Sequence, residues 1–186
     1  MGSNLIDSLF FDCKNGDRRA QKELFNRTAQ TMLGLCYRYA KNTEDAEDIL
    51  QNGYIKVFKN LHSFKQNGSF EGWIKKIMIN TAITYYRQSK NDPYTTDYTE
   101  IENSMSSNDF SIIQTMEYQE LLELVQSLPE KYRLVFNLYL IEGYSHQEIA
   151  DLLEISENTS KSQLFRAREI LKNKILKREE ETYVIQ

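Results

Sequence analysis

Apolar residues recur at helical spacing along most of the chain. After a short opener marked by Leu5, Leu9 and Phe10, Asp17 is placed to cap a long helix whose apolar face runs Leu24, Phe25, Thr28, Met32, Leu35, Cys36 and Tyr39. Thr43 begins a third helix, with Ala46, Ile49, Leu50, Tyr54, Val57, Phe58 and Leu61 on one side. A polar loop from Ser63 to Gly68 leads to Ser69, which caps a fourth helix carrying Phe70, Trp73, Ile74, Ile77, Met78 and Thr81. There the period fails. Residues 91–113 begin with Asn-Asp-Pro, are rich in Ser, Thr, Asn and Asp, and show no apolar repeat, as a linker does. The period returns in an amphipathic helix near 114–127 and in a second helix with Pro129 in its first turn, running to about Glu142 and ended by Gly143. Ser145-His146-Gln147-Glu148 has capping-box spacing and predicts a short helix at 146–153. Another helix starts four residues later and runs to about Lys177. The pattern predicts an all-α fold of two helical domains, 1–90 and 114–178, joined by a flexible acidic linker, 91–113, with a tail at 179–186. There is no internal repeat.

Composition agrees with a folded, helical protein. Of 186 residues, 40% are hydrophobic and 27% charged, which excludes disorder throughout; two prolines and seven glycines are too few for an all-β fold rich in turns. No window approaches the roughly 18 apolar residues of a membrane helix, and the N-terminus has no apolar signal core. A soluble, cytoplasmic protein with no membrane insertion is expected. Cys13 and Cys36 have no CxxC spacing and no nearby His, so they predict neither a disulfide framework nor a zinc site, and read as small buried apolar residues.

The net charge of −4 speaks at first against a nucleic-acid partner, but its distribution changes that picture. Residues 1–90 carry +5, residues 91–113 carry −5 with no Lys or Arg, residues 114–157 carry −7, residues 158–178 carry +6, and the tail carries −3. Basic charge is concentrated in one C-terminal helix and spread over the N-terminal half; local sign sets the field a phosphate backbone feels.

A short helix, a tight turn and a basic helix form a helix-turn-helix pattern. Ile149, Leu153, Ile155 and Leu164, with small Ala150, pack the two helices together. The second helix then offers Asn158, Thr159, Lys161, Ser162, Gln163, Arg166 and Arg168 on its free face. Asn, Gln and Arg make bidentate contacts with base edges in the major groove, whereas Thr, Ser and Lys suit phosphates. A helical hairpin with a solvated basic face is the plainer alternative. The segment EGYSHQEIADLLEISENTSKSQLFRARE resembles the promoter-reading conserved region 4 of bacterial sigma factors. It departs from that pattern at Glu154, where Gly is usual and which predicts an altered turn, at Ser160, where an apolar residue is usual, and at Gln163, where Arg is frequent and which bears on base preference.

In the first domain, Thr43-Glu44-Asp45-Ala46-Glu47-Asp48 puts four acids at the start of a helix. Three readings fit: complementing the helix dipole, holding a metal through Glu44, Glu47 and Asp48, or docking a basic partner helix. The metal reading lacks a nearby His and a second acidic motif. EDAEDILQNGYIKVF resembles the region 2 helix by which sigma factors bind core RNA polymerase. That resemblance implies contacts with the clamp helices of the largest subunits from Asp48, Gln51, Asn52, Tyr54 and Phe58, with Asn52 replacing the usual acid. Next, aromatic residues alternate with cations and amides: Phe64, Lys65, Asn67, Phe70, Trp73, Lys76 and Asn80, then Tyr85, Tyr86 and Arg87. Single-stranded nucleic acid is bound this way, with stacking worth about 1–3 kcal/mol per base; Phe70 and Trp73 at helical spacing equally suit a core. With the resemblance, Phe64, Lys65, Asn67, Phe70, Trp73, Lys76, Asn80 and Arg87 are implied to recognise and melt the downstream (−10) promoter element, the loop 63–68 holding a flipped base. Thr84 replaces a common acid, so that acid's salt bridge is not expected.

Both motifs occur in order and at the spacing of the extracytoplasmic function (ECF) group of sigma factors, which have only regions 2 and 4. The resemblance spans roughly residues 5–178. It implies docking on core RNA polymerase, reading of the upstream (−35) element of promoter DNA by Asn158, Thr159, Lys161, Ser162, Gln163 and Arg166, and an anti-sigma factor as partner. The acidic linker is implied to lie in the cleft and RNA-exit path of polymerase. No catalytic Ser/His/Asp set, P-loop or metal spacing occurs, and no cofactor is expected; His62 and His146 stand alone in the sequence. The competing readings are a nucleic-acid enzyme using the acids at 44–48 and a free-standing helix-turn-helix regulator that binds duplex DNA by itself.

Overall fold

The computed structural model describes residues 3–91 and 116–184, with side chains over 6–88 and 120–178. Apart from Asn91, the linker assignment lies outside the described residues. All regular structure among the described residues is helical, and it falls into two compact units.

The first unit holds α1 (Ser3–Lys14), α2 (Arg18–Tyr39), α3 (Thr43–Lys59), a 3-10 turn (Leu61–Ser63) and α4 (Phe70–Asn91). Asp17 caps α2 as expected, its carboxylate accepting from the Arg19 and Ala20 N–H groups at 2.7 and 3.3 Å. Asn42 caps α3 by accepting from Asp45 N–H at 2.7 Å. Ser69 Oγ accepts from Gly72 N–H at 3.0 Å, and Asp7 reaches over from α1 to accept the Phe70 N–H at 2.9 Å. The core is built from Phe10, Leu24, Met32, Ile49, Val57, Phe70, Ile74 and Met78, each at most 2% exposed. At about 1.5–3 kcal/mol per fully buried large side chain, their burial is the main driving force of this unit. α3 and α4 approach closely because Gly53 faces Met78, where a β-carbon would collide with the Met78 sulfur. Within the core the Thr28 and Tyr54 hydroxyls share a 2.6 Å hydrogen bond. One member of the expected α2 face turns out: Phe25 is 39% exposed, resting edge-on against Tyr54 with ring centroids 4.7 Å apart. Both cysteines are buried, which pushes the Cys13 thiol up to about 11 and the Cys36 thiol up to about 12.

The second unit holds α5 (Met116–Gln126), α6 (Glu130–Phe136), a π-helical turn (Asn137–Ile141), α7 (His146–Leu153) and α8 (Glu157–Val184). Three expectations need correction. Pro129 stands at the N-cap of α6, one position before the first turn, its ψ of 138° being extended. The regular helix ends at Phe136, and the wider turn that follows closes with Glu142 N–H on Asn137 O at 3.0 Å. This extra residue keeps Leu138 in the core, turns Leu140 and Ile141 outward, and leaves Gly143 in a left-handed conformation (φ 78°). Finally, α8 continues past Lys177 to Val184, because Glu179, Glu180 and Glu181 are good helix formers. Arg133, 3% exposed, secures the α5–α6 corner by donating to the Gln126 backbone and side-chain oxygens at 3.0 and 2.7 Å.

Candidate docking and nucleic-acid surfaces

The acidic start of α3 sorts into two roles. Asp45 points inward and accepts from the Tyr85 hydroxyl at 2.6 Å, tying α3 to α4. Glu44, Glu47, Asp48, Gln51 and Asn52 are exposed, and Asp48, Gln51 and Asn52 stand on one stripe with Ile55, which is 50% exposed. Tyr54 does not share that surface. It is 4% exposed, its hydroxyl is taken by Thr28, and burial pushes it up to about 12. Phe58 is half-buried and stacks on Tyr54 at 6.0 Å. The two rings support α3 from beneath, while Ile55, which the sequence reading passed over, is the apolar group available outside.

Between the 3-10 turn and α4 lies an open cleft of about 480 Å³. Phe64, Lys65, Asn67, Trp73 and Lys76 line it, with Ser63, Gly68, Ser69 and Gly72. The loop takes its shape from two left-handed residues, Gln66 (φ 57°) and Gly68 (φ 111°). Phe64 and Trp73 are half-buried with ring centroids 5.5 Å apart. Phe70, expected among the nucleic-acid contacts, is fully buried instead: it packs against Phe10, Phe64 and Trp73 at 5.2, 5.3 and 5.7 Å and backs the rings that face the cleft. Asn80 is exposed one turn beyond Lys76. Thr84 donates to Asn80 O at 2.8 Å, and Arg87 is half-buried in the last turns of α4. Aromatic faces beside lysines and an amide accept an unpaired base and its phosphates.

In the second unit Ser145 and Glu148 form the capping box of α7 as expected, with the Ser145 N–H donating to Glu148 at 2.8 Å. The turn to α8 is not altered by Glu154: the residue adopts the left-handed geometry (φ 56°, ψ 44°) that glycine normally supplies. Ser156 accepts from the Thr159 N–H at 3.0 Å, and its hydroxyl lies 2.8 Å from that of Thr159, so Thr159 is half-buried and engaged in the cap. Ser160, Leu164 and Ala167 are buried. The outward face therefore presents Asn158, Lys161, Ser162, Phe165 and Arg166; Lys161 pairs with Glu157 at 2.6 Å and holds that carboxyl below its usual range. Gln163 lies half-buried on the flank. Phe165, 61% exposed and missed by the sequence reading, occupies the centre of this face. Its signal was the buried spacing 160, 164 and 167, which sends 165 to the opposite side. His146, solitary in the sequence, is engaged here: its ring stacks on Tyr139 at 4.4 Å and its Nδ1 lies 2.9 Å from Ser160 Oγ.

Residues 24–91 match the Sigma-70 region 2 family model and residues 118–171 match that of Sigma-70, region 4. The chain is 30% identical over 186 residues to the ECF RNA polymerase sigma-E factor of Escherichia coli (strain K12), covering 94% of this chain and 97% of that protein. The chain belongs to the ECF sigma factors of the sigma-70 family. The corresponding sigma-E factor of Haemophilus influenzae is 28% identical, with 94% and 98% covered. Among solved structures, the sigma factor RpoE in complex with the anti-sigma factor NepR from Bartonella quintana matches this sigma factor at 18% identity and a TM-score of 0.49, covering 82% of this chain and 94% of that one. As an ECF sigma factor the protein binds core RNA polymerase and directs promoter-specific initiation, which sets aside the free-standing regulator. Among the described residues no helix is long and apolar enough to cross a membrane.

Proposed function

We propose that this sigma factor divides its work among three surfaces. The outward stripe of α3, Asp48, Gln51, Asn52 and Ile55, docks on the clamp helices of the largest polymerase subunits: the carboxylate and amides meet basic and polar groups, and Ile55 supplies apolar contact. The cleft before α4 captures an unpaired base of the −10 element, Phe64 and Trp73 stacking on it while Lys65 and Lys76 meet the flanking phosphates and Asn67 bonds its polar edge. Asn80 and Arg87 continue this path along α4. The outward face of α8 reads the −35 element in the major groove. Arg166 and Asn158 bond base edges, Phe165 packs on a thymine methyl, Lys161 and Ser162 meet phosphates, and Gln163 borders the last base.

The domain limits follow: residues 1–90 dock and melt, 114–178 read the upstream element, and the acidic segment 91–113 mimics nucleic-acid charge in the polymerase cleft. The protein works in the cytoplasm, without catalytic groups of its own. An anti-sigma factor covers its docking surfaces when it is idle, a role supported by the exposure of Ile55, Leu140, Ile141 and Phe165.

The single observation that carries the reading is the convergence of two half-buried aromatic faces, two lysines and an asparagine on one cleft. Run-off transcription with core polymerase on genomic fragments tests it, comparing wild type with Asp48→Ala and Trp73→Ala. Promoter-specific transcripts with wild type, fewer with Asp48→Ala through weaker holoenzyme assembly, and fewer with Trp73→Ala despite normal assembly are expected. Equal transcription by all three would overturn the assignment of both surfaces.

A further inference from the structure

Burial of apolar groups holds α7 on α8: Ile149 and Leu153 on one helix are buried, as are Leu164 and Ala167 on the helix it packs against. Such contact is strong but non-directional, and tolerates sliding of one helix along the other. A directional contact crosses the same interface. Ser160 is fully buried on α8, and its Oγ lies 2.9 Å from Nδ1 of His146, the first residue of α7. On its other side the imidazole is stacked on Tyr139 of the π-helical turn, with centroids 4.4 Å apart and planes within 20°. Three successive elements of the second unit are thus linked through one side chain. Ser160 immediately precedes Lys161 and Ser162, which lie on the outward face.

We infer that His146 is a positioning residue for promoter reading: clamped between Tyr139 and Ser160, it fixes the register of α8 against α7 and hence the placement of the base-reading side chains. This inference rests on the reading of α8 as the −35 recognition helix. It also accounts for a departure from the family pattern, since the hydroxyl at 160 replaces an apolar side chain where His146 presents a polar atom. A buried hydroxyl whose bonding partner is removed is left unsatisfied, and the helix shifts to recover a bond. Base contacts need placement within about 0.5 Å, so a small shift is felt in discrimination before it is felt in folding.

The test uses the full chain assembled with core RNA polymerase of the same organism. Wild-type holoenzyme enriches duplex fragments from a library randomised across the upstream element. Discrimination is then the ratio of affinities for the enriched fragment and one with that element scrambled. Ser160→Ala and His146→Ala each lower this ratio about fivefold, the equivalent of one hydrogen bond. Affinity for the scrambled fragment stays unchanged, which a loss of folded protein would not allow. The double variant loses no more than the worse single variant. His146→Asn, whose amide reaches the Nδ1 position, stays within about twofold of wild type on the same hydrogen-bond scale. Arg166→Ala, run in parallel, must lower the ratio if α8 reads the element. An effect of Arg166→Ala with unchanged discrimination in Ser160→Ala overturns the positioning role alone. No enrichment by wild type, or no effect of Arg166→Ala, overturns the reading of α8 and the inference with it.

Discussion

Glu154 ends α7 in a left-handed conformation (φ 56°, ψ 44°) that costs an L-residue about 1–2 kcal/mol. Glu154→Gly removes that cost. The gain is offset by the greater freedom of glycine in the unfolded chain, about 0.5–1 kcal/mol, so the second unit gains about 0.5–1 kcal/mol. For a unit of this size that corresponds to a rise in Tm of about 2–8 °C. Glu154→Ala is the control: it removes the side-chain interactions of Glu154 but leaves a β-carbon in the strained geometry. Thermal unfolding of the full chain, followed by circular dichroism, measures both variants, and the difference between them isolates the backbone contribution. If Gly is no more stable than Ala at this position, the turn carries no such strain and the argument is wrong.

Tyr54→Phe removes one partner of a buried hydrogen bond and lowers the stability of the first unit by about 1 kcal/mol, while polymerase affinity in a binding assay stays unchanged, because Tyr54 lies beneath the stripe proposed to dock. Gly53→Ala displaces the buried Met78 side chain from its place in the core and costs about 1–3 kcal/mol in urea unfolding. Burial, reinforced by Lys161 and Arg168 against the smaller opposing effect of Glu157, holds the imidazole of His146 below its usual pKa. The unfolded chain therefore takes up that proton more readily than the folded one, so this contribution is fully present above about pH 6.5 and is lost as pH falls below it. Tm measured from pH 7.5 to 5.5 declines less in His146→Asn than in wild type. Phe165→Ala abolishes the preference for thymine at one upstream position in a fragment-enrichment experiment and leaves the others unchanged.

Helix existence was legible wherever an apolar stripe coincided with a capping residue. Asp17, Ser69 and the Ser145–Glu148 box fall where their spacing placed them, and both cysteines are buried. The aromatic and basic spacing at 64–76 suggested that these residues act together, and five of them do share one cleft. Other features depend on three-dimensional competition. The depth of Tyr54 and Phe70 is set by the opposing helices, so periodicity alone could not separate a ring in the core from a ring at the surface. The π-helical turn arises where keeping Leu138 buried wins over the regular ladder. Phe165 was overlooked because only polar and basic side chains were sought on the free face of this helix, although the buried positions 160, 164 and 167 assign it there. The bond between His146 and Ser160 joins residues 14 apart and leaves no local trace.

The hydrogen bond from Phe70 N–H to Asp7, together with the Phe10 ring against Phe64, makes the opening helix part of the wall behind the cleft proposed to take an unpaired base. For anyone engineering the protein, Asp7 and Phe10 are therefore poor positions to change. Loss of either side chain loosens the start of α4 while the outward stripe of α3 stays intact. With the cleft acting as proposed, the expected phenotype is a holoenzyme that assembles normally and stalls at strand opening, easily mistaken for a defect in promoter sequence.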